Sequence, residues 1–90
     1  MVHKHIPPSK KDYTIYGISN CKYCKLVDSD IKAKKKIVDC DKYISTLRDR
    51  DSFYKYIHKY TIIPYIHFPM IFKDGKFIGG YKEYINKNKK

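Results

Sequence analysis

Tyr13-Thr14-Ile15-Tyr16-Gly17-Ile18-Ser19-Asn20-Cys21-Lys22-Tyr23-Cys24 is the stretch on which the reading of this chain turns. Its first six residues, Tyr13 to Ile18, are dense in β-branched and aromatic side chains and predict a buried strand. Ser19-Asn20 suits a turn or a helix cap. From Cys21 the period changes: Cys24, Val27 and Ile31 recur at three and four, with Leu26 widening the apolar face, so a helix begins there. Unpaired amides and the macrodipole at a helix start favour negative charge, which predicts a Cys21 thiolate of lowered pKa. Lys22 and Lys25 add positive potential. The spacing within the first turn lets the second sulfur reach back to the first. Cys21 then reads as the exposed nucleophile and Cys24 as the more buried resolving thiol. The other chemistry that opens with Cys-x-x-Cys is half of a zinc site, which needs four ligands. Only Cys40, His3, His5, His58 and His67 remain to complete one, with no second paired motif, so no metal site is expected.

Working outward, a lysine run leads into Ile37-Val38-Asp39-Cys40, a short second strand. Ile44, Leu47, Tyr54 and Ile57 lie at helical spacings and predict a second amphipathic helix, while Pro64 argues against its continuation through Thr61 to Phe68. Met70 to Lys73 and Lys76 to Ile78 are two short strands around Asp74-Gly75, a strong hairpin signal because glycine accepts positive φ. Gly79-Gly80 opens a last helix from Tyr81 to about Asn88. The expected order is β-α-β-α-β-β-α. Its first β-α-β unit demands a parallel pair with a right-handed crossover, and the hairpin adds an antiparallel edge. The fold class is α/β, a four-stranded mixed sheet flanked by three helices. Residues 1–12, with Pro7-Pro8, read as a flexible polar tail, and 13–90 as one domain.

The 90 residues carry a formal charge of +11, which attracts polyanions without regard to their sequence. Eighteen lysines against two arginines argue for a different cause. Bidentate phosphate grips favour arginine, whereas Lys, Ile, Tyr and Asn are the residues that A/T-rich codons specify. The lysines are scattered rather than gathered on one face, so a nucleic-acid partner is not expected. No run of 18 apolar residues exists to span a membrane, and the first twelve residues lack the apolar core of a secretory signal. Three cysteines leave at least one free, which points to a reducing compartment where paired cysteines are catalytic or metal-binding. The localisation expected is cytoplasmic, a host's cytoplasm for a viral source.

Two further elements carry chemistry. Pro69, after His67-Phe68, starts a strand; such a proline can be cis and expose the preceding peptide to an extended ligand, or be a simple strand-start proline. Gly79-Gly80 leaves free amides at Tyr81 and Lys82, an anion site suited to a carboxylate, or merely lets the chain turn.

Cys21-Lys22-Tyr23-Cys24, Phe68-Pro69 and Phe72-Lys73-Asp74-Gly75-Lys76-Phe77-Ile78-Gly79-Gly80-Tyr81 together resemble the glutaredoxin family, from about Tyr13 to Asn88. The Ile-Gly-Gly-Tyr ending is similar to small bacterial and phage glutaredoxins that reduce ribonucleotide reductase. The resemblance implies a thioredoxin-like fold and a monomeric, glutathione-dependent thiol–disulfide oxidoreductase without a tightly bound cofactor. Glutathione is its implied co-substrate; disulfide-bearing or glutathionylated proteins, ribonucleotide reductase among them, are its implied partners. Glutathione would lie beside Cys21, its cysteinyl backbone paired with Phe68 before a cis Pro69. Its γ-glutamyl carboxylate would meet Tyr81 and Lys82 beside Gly80, and its amino group Glu83. Tyr23 would flank the mixed disulfide and Lys59 would take the glycyl carboxylate. Lys22 stands where many relatives have proline, Ile18 where many have a basic residue, and His67-Phe68 where many have Thr-Val. Cys40 matches no catalytic position and reads as a buried strand residue.

Three other readings follow from these residues. A thioredoxin recharged by a reductase normally carries tryptophan before its cysteines, and this chain has none. A glutathione-ligated [2Fe-2S] carrier is suggested by Lys22 in place of proline, with Cys21 thiolates of two chains as ligands. A basic nucleic-acid adaptor would show salt-sensitive binding.

Overall fold

β1, Tyr13–Gly17, is the strand around which everything else is arranged. The computed structural model describes residues 4–88. β1 leads into helix α1 (Lys22–Asp30), then β2 (Lys35–Asp39), a 3₁₀ turn (Asp41–Tyr43), helix α2 (Leu47–Thr61), the hairpin β3 (Met70–Lys73) and β4 (Lys76–Gly79), and helix α3 (Tyr81–Asn88). The sheet order is β2-β1-β3-β4. β1 pairs parallel with β2, Ile15 opposite Ile37, and antiparallel with β3, Ile15 opposite Ile71. This is the expected mixed sheet, with its α1 crossover and hairpin edge. Asp74 and Gly75 both take positive φ, 54° and 83°, as the tight turn between twisted strands requires.

Alternation along β1 divides the core in two, because successive strand side chains face opposite ways. Ile15 faces α1 and α3, in a cluster with Val27, Ile31, Ile71 and Tyr84. Tyr16 faces α2, among Val38, Cys40, Tyr43, Phe53, Ile57, Met70 and Phe72. No helix among the described residues is long and apolar enough to cross a membrane.

Four expectations are corrected by this packing. The helix α2 buries Phe53, Ile57 and Thr61, four apart, whereas Leu47 is 80% exposed in its first turn and Tyr54 only half-buried. Of the expected face Ile57 is buried, whereas Ile44 precedes the helix and Leu47 lies in its exposed first turn. Leu26 is exposed and does not join the buried face of α1. Cys40 is fully buried but lies just beyond β2, at the head of the 3₁₀ turn.

The fourth correction concerns the tail, since residues 4–12 lie against the α2 side of the sheet rather than running free. The Tyr43 hydroxyl donates to the Lys4 carbonyl at 2.6 Å and the Tyr16 hydroxyl to the Ile6 carbonyl at 2.8 Å. His5 sits edge-on to Tyr43, Phe53 and Tyr56, Ile6 packs on the core, and Pro8 is buried. Asp12 then exchanges two hydrogen bonds with Asp74, at 2.9 and 3.1 Å. Two buried tyrosine hydroxyls need acceptors, and the segment's carbonyls supply them. His3 lies outside the described residues.

Candidate active site

The end of β1 delivers the chain to the first cysteine through a loop tied down at both its sides. The Cys40 N–H donates to the Gly17 carbonyl at 2.8 Å, and the Ser19 N–H to Asp41 Oδ1 at 2.9 Å. Hydrogen bonds from Ser19 hold the Asp41 carboxyl below the usual carboxylate range. Cys21 then takes the N-cap position of α1, extended at φ −111°.

Cys21 and Cys24 form a disulfide, with Cα atoms 5.2 Å apart, inside the span such bridges normally have. The Cys24 N–H, one of the orphan donors of the first turn, points at the Cys21 sulfur from 3.2 Å. Cys24 is 9% exposed and Cys21 more accessible. Gly17 makes room for the buried sulfur: a Cβ there would lie 3.2 Å from the Cys24 Sγ. Sequence patterning did not single out Gly17 or Asp41, since both act on Cys21 and Cys24 through the fold.

Across from the disulfide, the Phe68–Pro69 peptide is cis, and the Phe68 carbonyl oxygen lies 3.9 Å from the Cys21 Sγ. A groove of about 500 Å³ opens beside them, within the range of small-molecule sites. Tyr23, Phe68, Tyr81, Lys82 and Glu83 line it, as does Tyr65. The Tyr23 and Tyr81 rings stack with centroids 4.9 Å apart, joining α1 to the start of α3. At that start the Gly80 N–H donates to Glu83 Oε1 at 2.9 Å, the carboxylate half of a capping box. Gly79 has φ +133°, a conformation open to glycine.

Lys59 is not brought to this groove. It is exposed on α2, its Nζ 5.9 Å from the Tyr56 ring. The residues of α2 that reach the extended segment before Pro69 are Tyr54, whose hydroxyl donates to the Ile66 carbonyl, and His58, whose Nε2 lies 3.1 Å from the Tyr65 nitrogen. Helical geometry separates the faces of residues 58 and 59 by about 100°. Tyr65 was missed altogether, and its only signal was an aromatic residue on the short path between Pro64 and Pro69.

Among the described residues no group of three His, Cys, Asp or Glu side chains is placed to hold a metal. Cys40 is held as the thiol: burial, then Asp39 and Asp41, push its pKa up to about 12.

No protein-family model matches the sequence, and no curated protein matches it. Solved structures do. Glutaredoxin 1 from Francisella tularensis, complexed with cacodylate, is 26% identical with a TM-score of 0.60, over 86% of this chain and 90% of that one. The holo form of glutaredoxin C1 from Populus tremula x tremuloides is 24% identical with a TM-score of 0.63, over 88% and 75% of the two chains. The buckwheat glutaredoxin–glutathione complex is 21% identical with a TM-score of 0.66, over 88% and 69%. Sheet order, helix placement and a Cys-x-x-Cys disulfide at the head of α1 thus give this chain a glutaredoxin-type thioredoxin fold, and that pairing of fold and motif supports thiol–disulfide oxidoreductase chemistry.

Proposed function

We propose that this protein is a glutathione-dependent disulfide reductase that works through Cys21, with Cys24 as the resolving thiol. The observation that carries the reading is the sulfur of Cys21 at the head of α1, faced by the Cys24 N–H at 3.2 Å and bordered by the groove that Phe68 and Tyr81 line. A donor at that distance stabilises a thiolate, which is the nucleophile of thiol–disulfide exchange.

In the first step the Cys21 thiolate attacks a sulfur of a protein–glutathione mixed disulfide. The old S–S bond breaks, the protein thiolate leaves and takes a proton from water, and Cys21 is left bound to glutathione. A second glutathione thiolate attacks that bridge, releasing oxidised glutathione and the Cys21 thiolate. With an intramolecular protein disulfide, Cys21 first bonds to the target protein. Cys24 then attacks the Cys21 sulfur, frees the reduced target, and closes the Cys21–Cys24 bridge. One glutathione thiolate then attacks the Cys21 sulfur of that bridge, freeing the Cys24 thiolate and leaving Cys21 bound to glutathione; a second attacks the glutathione sulfur, releasing one oxidised glutathione and the Cys21 thiolate.

In the groove, glutathione would run along the Phe68 backbone as an added strand. Its γ-glutamyl carboxylate would meet the Tyr81 and Lys82 amides at the positive end of α3, with Gly80 leaving space, its amino group Glu83, and Tyr23 its sulfur. Tyr23, Phe68, Tyr81, Lys82 and Glu83 line one groove, which supports this reading, and the buckwheat relative is described as a glutathione complex. Lys59 is left out; Lys82, on the groove wall, is the side chain available for a second carboxylate. Ribonucleotide reductase is the protein substrate we favour, on the sequence resemblance alone. A monomer in a reducing, cytoplasmic compartment suits the free, buried Cys40.

The test is a glutathione-coupled reduction assay with each cysteine replaced. Cys21→Ser is expected to abolish turnover. Cys24→Ser should keep release of glutathione from mixed disulfides while losing reduction of intramolecular disulfides. Equal tolerance of the two changes, or no dependence on glutathione, would overturn the assignment.

A further inference from the structure

Tyr65 stands on the extended segment between α2 and Pro69 and is held on three sides. His58 Nε2 lies 3.1 Å from both its backbone nitrogen and its carbonyl oxygen. Its ring meets Phe77 edge-on at 5.0 Å. Its hydroxyl lies over Gly80 so closely that an added Cβ would collide with it, and the same Cβ would come within 3.4 Å of Glu83 Oε1. Both oxygens thus lie close to the position that a Gly80 side chain would take. Burial, then the neighbouring Glu83 carboxylate, raise the Tyr65 pKa, so the phenol keeps the proton it can offer to that carboxylate. Glu83 Oε1 also accepts the Gly80 N–H. An exposed glutamate on a helix ordinarily samples several rotamers. Here the Gly80 N–H at the head of α3 holds it at the groove, and the Tyr65 hydroxyl, from the chain before Pro69, stands beside it.

We propose that Tyr65 is a positioning residue for ligand selection. By holding the Glu83 carboxylate at the groove wall beside the first-turn amides of Tyr81 and Lys82, it favours a zwitterionic amino-acid end, with ammonium toward Glu83 and carboxylate toward the amides. The inference deepens the glutathione reading and rests on it. It assigns the preference for a free α-amino group to a side chain from a segment that carries no motif.

The experiment compares glutathione with N-acetylglutathione as reductant, for the wild-type protein, Tyr65→Phe and Tyr54→Phe. Tyr65→Phe keeps the ring against Phe77 and loses only the hydroxyl. Tyr54→Phe removes a hydroxyl that donates to the same segment, at Ile66, outside the groove, and so reports on loosening of that segment. A charge-assisted bond to the ammonium predicts that blocking the amine raises the wild-type KM about tenfold. In Tyr65→Phe the KM for glutathione should rise several-fold and the ratio between the two thiols shrink, with kcat held; in Tyr54→Phe the ratio should stay. An unchanged ratio in Tyr65→Phe, an equal change in Tyr54→Phe, or a wild-type protein that uses both thiols alike would overturn the role of Tyr65 alone. A wild-type protein that uses neither thiol overturns the glutathione reading and this inference with it.

Discussion

The Cys24 backbone N–H points at the Cys21 sulfur from 3.2 Å, while Cys24 itself is buried under Gly17. One residue thus hides its own sulfur and supplies a donor that would stabilise a thiolate on its partner. In the reduced protein the Cys21 thiol should titrate below the ordinary free value of about 8.5. Thiolate absorbance measures that midpoint, and iodoacetamide near neutrality should alkylate Cys21 first. Cys40, buried and held as the thiol with its pKa pushed up to about 12, should react only after unfolding. Cys40 labelling in the native protein at the rate of Cys21 would contradict this geometry.

Gly80 has no room for a side chain. Its Cβ would meet the Tyr65 hydroxyl, so Gly80→Ala should push Tyr65 out of the groove and cost about 1–3 kcal/mol of stability, the usual range for overpacking. Combining it with Tyr65→Phe, which removes the colliding oxygen, should recover part of that loss in urea unfolding. Additive losses in the double variant would show that the two residues do not meet.

Ile62 ends α2 at φ +73° and is 89% exposed. A β-branched residue is costly in that left-handed position, by roughly 1–2 kcal/mol, and glycine is the usual occupant after a helix. Ile62→Gly gives up little packing and should raise Tm by about 4–8 °C if it recovers about 1 kcal/mol. Ile62→Ala keeps a Cβ and should gain less. A Tm below wild type for the glycine variant would mean that Ile62 has a partner in solution.

Alkali should unfold this protein well before acid does. Burial raises the pKa of Tyr16, Tyr43, Tyr54, Tyr65 and Tyr84, and pushes that of Tyr56 up to about 12. The folded chain therefore holds protons that an unfolded chain releases from about pH 10, and from about 8.5 for Cys40. With fewer protons on the unfolded side, stability is fully present below those values and falls as pH rises through the folded ones. The urea midpoint should be flat near neutrality and drop steeply above about pH 9–10, alongside phenolate absorbance. A midpoint that holds to about pH 11 would contradict the burial of these rings.

Much of the fold was legible because its signals are local. The Asp74-Gly75 turn, the Gly79-Gly80 start of α3 and the change of period at Cys21 each involve residues a few positions apart. Turn chemistry and periodicity act over that range. The helix α2 was the weak point: it carries aromatic residues on several faces, and only packing against Tyr16 and Met70 selects the one with Phe53 and Ile57. The tail was misread for a related reason. Pro7-Pro8 and the histidines describe a polar segment, but two hydroxyls of the core, on Tyr16 and Tyr43, need its carbonyls.

The site divides in the same way. By itself the sequence determined that a cysteine begins a helix after a strand, that a proline begins the third strand and that glycines open the last helix, since each is a statement about neighbours along the chain. Only the tertiary structure decided that the Phe68 carbonyl lies 3.9 Å from a sulfur 47 residues earlier, that Tyr65 covers Gly80, and that Lys59 faces away. Those relations depend on how the cores on the two faces of one sheet set the distances between elements, and no local pattern encodes them.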